Sequence, residues 1–92
     1  MTSKERARLR SLAAMENTVI QIGKNGITEQ VIASVETALA ARELIKGKVL
    51  ESSMLTAREA CETLAAACDA EPIQAIGTKF VLYRRKKDKE SR

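Results

Sequence analysis

The stretch Val19-Ile20-Gln21-Ile22-Gly23-Lys24-Asn25-Gly26-Ile27-Thr28 decides how this chain folds. Its apolar run, Val19 to Ile22, predicts a short β-strand, and Thr28 is a suitable N-cap for the helical segment that follows. The two glycines between them stand three apart, so the backbone can turn sharply there and approach a ligand closely. The sequence therefore predicts a strand, a glycine loop and a helix in direct succession.

Helix signals lie on both sides of this stretch. Two capping boxes, Thr2-x-x-Glu5 and Thr56-x-x-Glu59, predict the start of a first helix, from about Ser3 to Met15, and of a third helix. Apolar residues at helical spacing predict that the second helix is buried against a sheet. They are Val31, Ile32, Val35, Ala38 and Leu39.

Strand signals complete the order of elements. Residues 44–50 predict a second strand with lysines on one face, and residues 73–76 and 80–83 predict a hairpin. Gly77 suits the first position of a type II′ turn in that hairpin. The order α-β-α-β-α-β-β predicts an α/β fold, a two-layer sandwich in which helices pack on a four-stranded mixed sheet.

Length and composition fit one small domain. The chain has 92 residues, of which 45% are apolar and only two, Phe80 and Tyr83, are aromatic, so the core is expected to be aliphatic. Residues 1–84 are expected to form the domain, and residues 85–92, which lack apolar side chains, a flexible basic tail. No apolar run approaches the roughly 20 residues that cross a membrane, and we expect a cytoplasmic monomer.

Positive charge is concentrated at the two ends of the chain. Residues 1–10 carry a net charge of +3 and residues 84–92 carry +4, so the middle is net negative within a total of +4. Such ends would attract a polyanion and make its binding depend strongly on salt. A solvated surface that keeps a small protein soluble is an equally good interpretation of charge alone.

Cofactor and catalytic signals are weak. Cys61 and Cys68 are seven apart on a predicted helix, too far for a disulfide, and with no histidine in the chain they do not form a usual zinc pattern. We therefore expect two buried thiols, no metal and no cofactor. The sequence also lacks a Walker-type loop and a recognisable nucleophile with its base, so we expect a protein that is not an enzyme.

Three signatures in order resemble the YhbY family, small bacterial proteins that share the CRM domain of chloroplast RNA splicing and ribosome maturation. They are Ile22 to Glu29, Ala38-Leu39 with Glu43 to Val49, and Gln74-x-Ile76-Gly77 with Val81 to Arg84. Together they cover most of residues 9–84. Gly47 departs from the valine usual in the family, and residues 13–18 lack a histidine and proline often seen there.

The resemblance implies an RNA-binding domain with a KH-like GxxG loop, similar to the C-terminal domain of initiation factor three. It also implies association with the precursor of the large ribosomal subunit, and so a role in ribosome assembly. Plant relatives act in intron splicing, which is one alternative. A protein-interaction adaptor within a ribonucleoprotein, with the glycine loop serving only as a turn, is another.

The candidate RNA-binding residues lie in the glycine loop and on basic surfaces. Gly23 and Gly26 would shape a loop whose backbone amides approach phosphates together with the helix that begins at Thr28. Lys24 would supply a charge and Asn25 a hydrogen-bonding amide. Further basic side chains would extend the electrostatic footprint, although each could equally be a solvated charge. They are Arg6, Arg10, Lys46, Lys48, Lys79 and Arg84.

Overall fold

The computed structural model describes residues 2–85, and its elements follow the predicted order. The helices are α1 (Ser3–Ala13), α2 (Glu29–Arg42) and α3 (Ala57–Cys68), and a short 3-10 turn (Glu51–Ser53) precedes α3. The strands are β1 (Thr18–Ile22), β2 (Leu44–Val49), β3 (Glu71–Ile76) and β4 (Lys79–Tyr83). Apart from residue 85, the predicted basic tail lies outside the described residues. No described helix is long and apolar enough to span a bilayer.

The four strands form one mixed sheet in the order β1-β2-β4-β3, which confirms the predicted α/β class. Strand β1 is parallel to β2, whereas β4 is antiparallel to both β2 and β3. Strand β3 begins at Glu71, two residues earlier than predicted, and so includes Pro72. Proline is tolerated there because β3 is an edge strand, where a missing N–H need not break a ladder hydrogen bond.

The main core lies between the sheet and helices α2 and α3. Val35 and Leu39 of α2 are fully buried, as the helical pattern predicts, and they share this core with Leu64 of α3. Each of α2 and α3 begins at a threonine whose side chain accepts a backbone N–H from the first turn. Local capping and apolar spacing thus agree with the tertiary packing of both helices.

Helix α1 packs on the opposite face of the sheet and adds a partial third layer to the predicted two. A second, smaller core holds it there, formed by Leu9, Ala13, Ile73 and Val81. The alternation of side chains along β4 causes this division, because Val81 points away from its neighbours Phe80 and Leu82 in the main core. The apolar side chains on that face need a cover, and α1 supplies it at one end of the sheet only.

Gly47 makes room for the ring of Phe80. The two residues are direct partners in the register of β2 and β4, and Phe80 is fully buried in the main core. A Cβ atom at position 47 would lie 2.6 Å from Cε1 and 2.8 Å from Cε2 of that ring, and closer still to Cζ. The structure therefore shows a close approach of the Phe80 ring to the backbone at Gly47.

Candidate nucleic-acid interface

The glycine loop is a β-turn closed by one backbone hydrogen bond. The N–H of Gly26 donates to the carbonyl of Gly23 over 2.9 Å, which puts Lys24 and Asn25 at the two central positions. Gly26 has a φ of 70°, a conformation that other residues rarely adopt, whereas a Cβ at Gly23 would make only an ordinary contact, 3.9 Å from Leu50 Cδ1. Gly26 is therefore the glycine that the turn requires. Its N–H already donates to Gly23, so it is not available to a ligand.

The start of α2 presents free backbone donors beside this turn. Thr28 is the N-cap, as predicted, and its Oγ1 accepts the N–H of Val31 over 3.2 Å. The N–H groups of Glu29 and Gln30 have no hydrogen-bond partner among the described residues. The positive end of the helix dipole and these donors therefore face the same side as the loop, and the Glu29 carboxylate offsets part of that field.

An open groove of about 710 Å³ lies between the loop, the edge strand β1 and helix α2. Within residues 2–85, β1 pairs with β2 alone, so its outer backbone groups are free to bond a ligand in this groove. The polar side chains of Gln21, Gln30 and Ser34 line it together with the loop residues. These three residues were not predicted as site residues, yet alternation along β1 and the i, i+4 spacing of Gln30 and Ser34 would have indicated them.

Lys48 and Lys79 lie at the same end of the sheet as the glycine loop. In the register of the sheet, Lys48 is opposite Lys79 of β4 on one side and Gln21 of β1 on the other. Two hydrogen bonds tie this end together, from the N–H of Leu50 to the carbonyl of Ile22 and from the N–H of Val49 to the carbonyl of Thr78. Lys46 precedes Lys48 by two residues, so it lies on the same face, nearer to α1.

Arg6 and Arg10 lie on one flank of α1, on the same side of the sheet as these lysines. Arg6 lines a shallow hollow with Gln74 and Ala75, and Arg10 is one helical turn further along the same flank. The other flank, with Glu5 and Arg8, lines a separate hollow near Tyr83. Arg6 therefore lies beside β3, at the edge of the sheet opposite β1, and the structure does not bring it to the glycine loop.

Arg84 follows the end of β4 that is opposite the glycine loop. It follows β4 five residues after Lys79, which places it about 17 Å from the loop end of that strand. Its Nη1 donates to Oε1 of Glu36 over 2.6 Å and to the carbonyl of Cys68 over 2.9 Å. With 24% of its side chain exposed, Arg84 connects β4 to α2 and α3. The structure thus shows a packing role for Arg84 and does not bring it to the loop.

The aromatic and sulfur side chains serve the cores. Phe80 is fully buried, and Tyr83 packs partly against α1, so both pack as expected from their strand positions. Cys61 and Cys68 are buried free thiols, and burial raises the pKa of Cys61 to about 11. The described residues contain no cluster of three or more potential metal ligands. The polar and charged groups that a ligand can bond therefore lie in the groove and on the basic surfaces of the described residues.

Comparison with known proteins places these features in one family. The model of the CRS1 / YhbY (CRM) domain matches residues 1–84. "Probable RNA-binding protein YqeI" of Bacillus subtilis is 34% identical over 88 residues, which are 96% of this chain and 92% of that protein. An "RNA-binding protein" of Haemophilus influenzae is 37% identical over 84 residues, which are 91% of this chain and 85% of that protein.

A solved structure agrees with the sequence comparisons. The solution structure of the hypothetical protein SAV1595 from Staphylococcus aureus is similar to this fold with a TM-score of 0.77 and 37% sequence identity. The similarity covers 99% of this chain and 95% of that one. The glycine loop, the mixed sheet and these matches together identify the chain as a member of the CRS1 / YhbY (CRM) domain family.

Proposed function

We propose that this protein binds RNA without catalysing a reaction, and that the glycine loop holds the sugar–phosphate backbone of a single-stranded segment. The observation that carries this proposal is the groove in which the turn, the start of α2 and the edge of β1 face one another. Free N–H groups of Glu29 and Gln30, with the ammonium of Lys24, are the donors that phosphates accept from. The names of the bacterial relatives support RNA as the ligand.

The polar lining of the groove suits an unpaired strand better than a duplex. Unpaired bases expose their hydrogen-bonding edges, and the amides of Gln21 and Gln30 and the hydroxyl of Ser34 can donate to and accept from such edges. A duplex would enclose its base edges and leave the Gln21, Gln30 and Ser34 side chains without those partners. The groove therefore fits a short single-stranded segment whose backbone crosses the glycine loop.

A charge reversal within the loop tests this role. Lys24→Glu keeps the turn, since position 24 has an ordinary backbone conformation, and Lys4→Glu on the outer face of α1 makes the same change in net charge. We expect Lys24→Glu to weaken binding of a single-stranded RNA of about 8 nucleotides by about tenfold at 0.1 M salt, and Lys4→Glu by less than about threefold. Equal losses in the two variants would reject the loop as the binding site.

For the cellular role we propose assistance in assembly of the large ribosomal subunit, in the cytoplasm and as a monomer. The resemblance to single-domain bacterial members of the family supports this assignment. Sedimentation of the tagged protein with large-subunit precursors, lost in Lys24→Glu, is the expected result. Co-migration with a protein complex after nuclease treatment would instead favour the adaptor role, and enrichment of intron RNA would favour splicing.

A further inference from the structure

Two lysines face each other across neighbouring strands on the uncovered part of the sheet. Lys48 and Lys79 are direct partners in the antiparallel register of β2 and β4, and Lys46 lies on the same face. We call this surface the lysine face. It comprises the side chains on the α1 side of the sheet that extend beyond α1, namely Val19, Gln21, Lys46, Lys48, Ile76 and Lys79.

The charges of the lysine face have no counter-ion in the described part of the chain. Like charges that lie directly opposite on a sheet destabilise it, and acidic partners normally relieve the repulsion. The three ion pairs among residues 2–85 involve none of these lysines, and the strand positions of the lysine face include no carboxylate. Folding alone does not favour this arrangement, which indicates a surface built to meet negative charge.

The lysine face differs from the groove in what it can contact. Proteins that hold unpaired bases on a sheet do so with exposed aromatic rings, whereas Phe80 is buried on the other face and Tyr83 lies at the α1 end. Lysine ammonium groups are point charges suited to phosphates. A double-stranded RNA, with phosphates outside and bases enclosed, matches these groups.

The lysine face is continuous with the groove through one residue. Gln21 lines the groove, and in the sheet register it lies beside Lys48, about 5 Å away across the strands. A nucleic acid that leaves the groove past β1 therefore reaches the lysine face directly. The geometry points to a ligand that is single-stranded at one end and paired at the other.

We propose that the lysine face docks the phosphate backbone of an RNA duplex, next to the groove for a single strand, so that the preferred ligand is a junction between the two. This inference rests on the proposed RNA-binding function, and it adds the paired part of the ligand. It assigns Lys48 and Lys79 to the duplex and Lys24 to the single strand.

The test compares three RNA probes with one pair of matched double variants. The probes are a blunt duplex of roughly 16 base pairs, a single strand of about 8 nucleotides, and the same duplex carrying that strand as an overhang. The double variant Lys48→Gln, Lys79→Gln removes two positive charges from the lysine face. Lys4→Gln with Arg58→Gln removes the same two charges from the outer faces of α1 and α3, where both side chains are exposed.

We expect the lysine-face variant to bind the duplex and the junction about 10- to 50-fold more weakly at 0.1 M salt, because about two phosphate contacts are lost. The slope of log affinity against log salt should fall in magnitude by about 2. Single-strand affinity should stay within about threefold. The melting temperature should not fall, and relief of the repulsion between Lys48 and Lys79 should raise it.

Several results would overturn the inference. If the Lys4 and Arg58 control lost as much duplex affinity, net charge would be responsible and not the lysine face. If wild-type protein bound the single strand but not the duplex, the junction ligand would be wrong while the proposed function stood; binding of no RNA would reject both. Unchanged affinity of the lysine-face variant for all three probes would reject RNA as the ligand of that surface and favour an acidic protein partner.

Discussion

Adding one methyl group to the centre of the sheet should destabilise this protein more than its size suggests. In Gly47→Ala the new Cβ would lie within 2.8 Å of three ring carbons of Phe80, far inside the ordinary separation of about 3.5–4.0 Å between carbon atoms. The ring is fully buried between β4 and the helices α2 and α3, so it has no free space to retreat into. Either the ring or strand β2 must shift by about 1 Å.

The expected cost follows from two opposing effects. Overpacking of a well-filled core typically costs about 1–3 kcal/mol. Replacing glycine by alanine within a strand returns about 0.5–1 kcal/mol, because the unfolded chain loses backbone freedom. The net destabilisation is therefore about 1–2 kcal/mol, which lowers the melting temperature of a domain of this size by roughly 5–15 °C.

Thermal and urea unfolding followed by circular dichroism would measure this change. Phe80→Leu is the matched control, since a smaller side chain opposite position 47 relieves the overlap. Gly47→Ala should then cost little or nothing in the Phe80→Leu background, which gives a coupling of about 1–2 kcal/mol in a double-mutant cycle. If Gly47→Ala were as stable as wild type, or if the two substitutions were additive, the Phe80 ring would not be seated over Gly47.

Three further predictions concern helix capping, the Arg84 contact and a buried thiol. Thr28→Ala should lower the melting temperature by about 4–8 °C, for a lost N-cap of about 1 kcal/mol, whereas Thr28→Ser should not. Arg84→Gln should lower the free energy of unfolding in urea by about 1 kcal/mol and leave the affinity for single-stranded RNA within about twofold. A larger loss of affinity would indicate that Arg84 contacts the RNA directly. Burial raises the Cys61 pKa in the folded state, so the stability that the protonated thiol contributes is complete below pH 9 and is lost as the pH rises to about 11. Urea unfolding should therefore show a fall in the free energy of unfolding on the order of 2 kcal/mol over this pH range. Cys61→Ala should not show this fall.

The sequence predicted local structure well because its signals are local. The capping threonines, the turn at Gly77 and the strand-loop-helix unit around Gly26 each depend on a few neighbouring residues, and each lies where it was expected. Helix α1 was predicted too, although it ends at Ala13 and not at Met15. Such features follow from backbone conformation and side-chain hydrogen bonds that do not need the rest of the fold.

Features that depend on distant parts of the chain could not be predicted. The alternation in β2 placed Lys46 and Lys48 on one face, but it did not indicate that α1 would cover part of that face. Gly47 stood out as a departure from the family, and its reason became clear only because the sheet register brings Phe80 opposite. Likewise, a basic residue such as Arg84 gives no sign in sequence that it will be held by Glu36 and a backbone carbonyl.

The internal hydrogen bond of the glycine loop has a kinetic consequence. Because the N–H of Gly26 already closes the turn onto the carbonyl of Gly23, the loop needs little rearrangement when a ligand arrives. Association should then be limited by electrostatically guided encounter, with a rate that falls steeply with salt, and not by a conformational step. Differences in affinity between RNA sequences should appear chiefly as differences in dissociation rate.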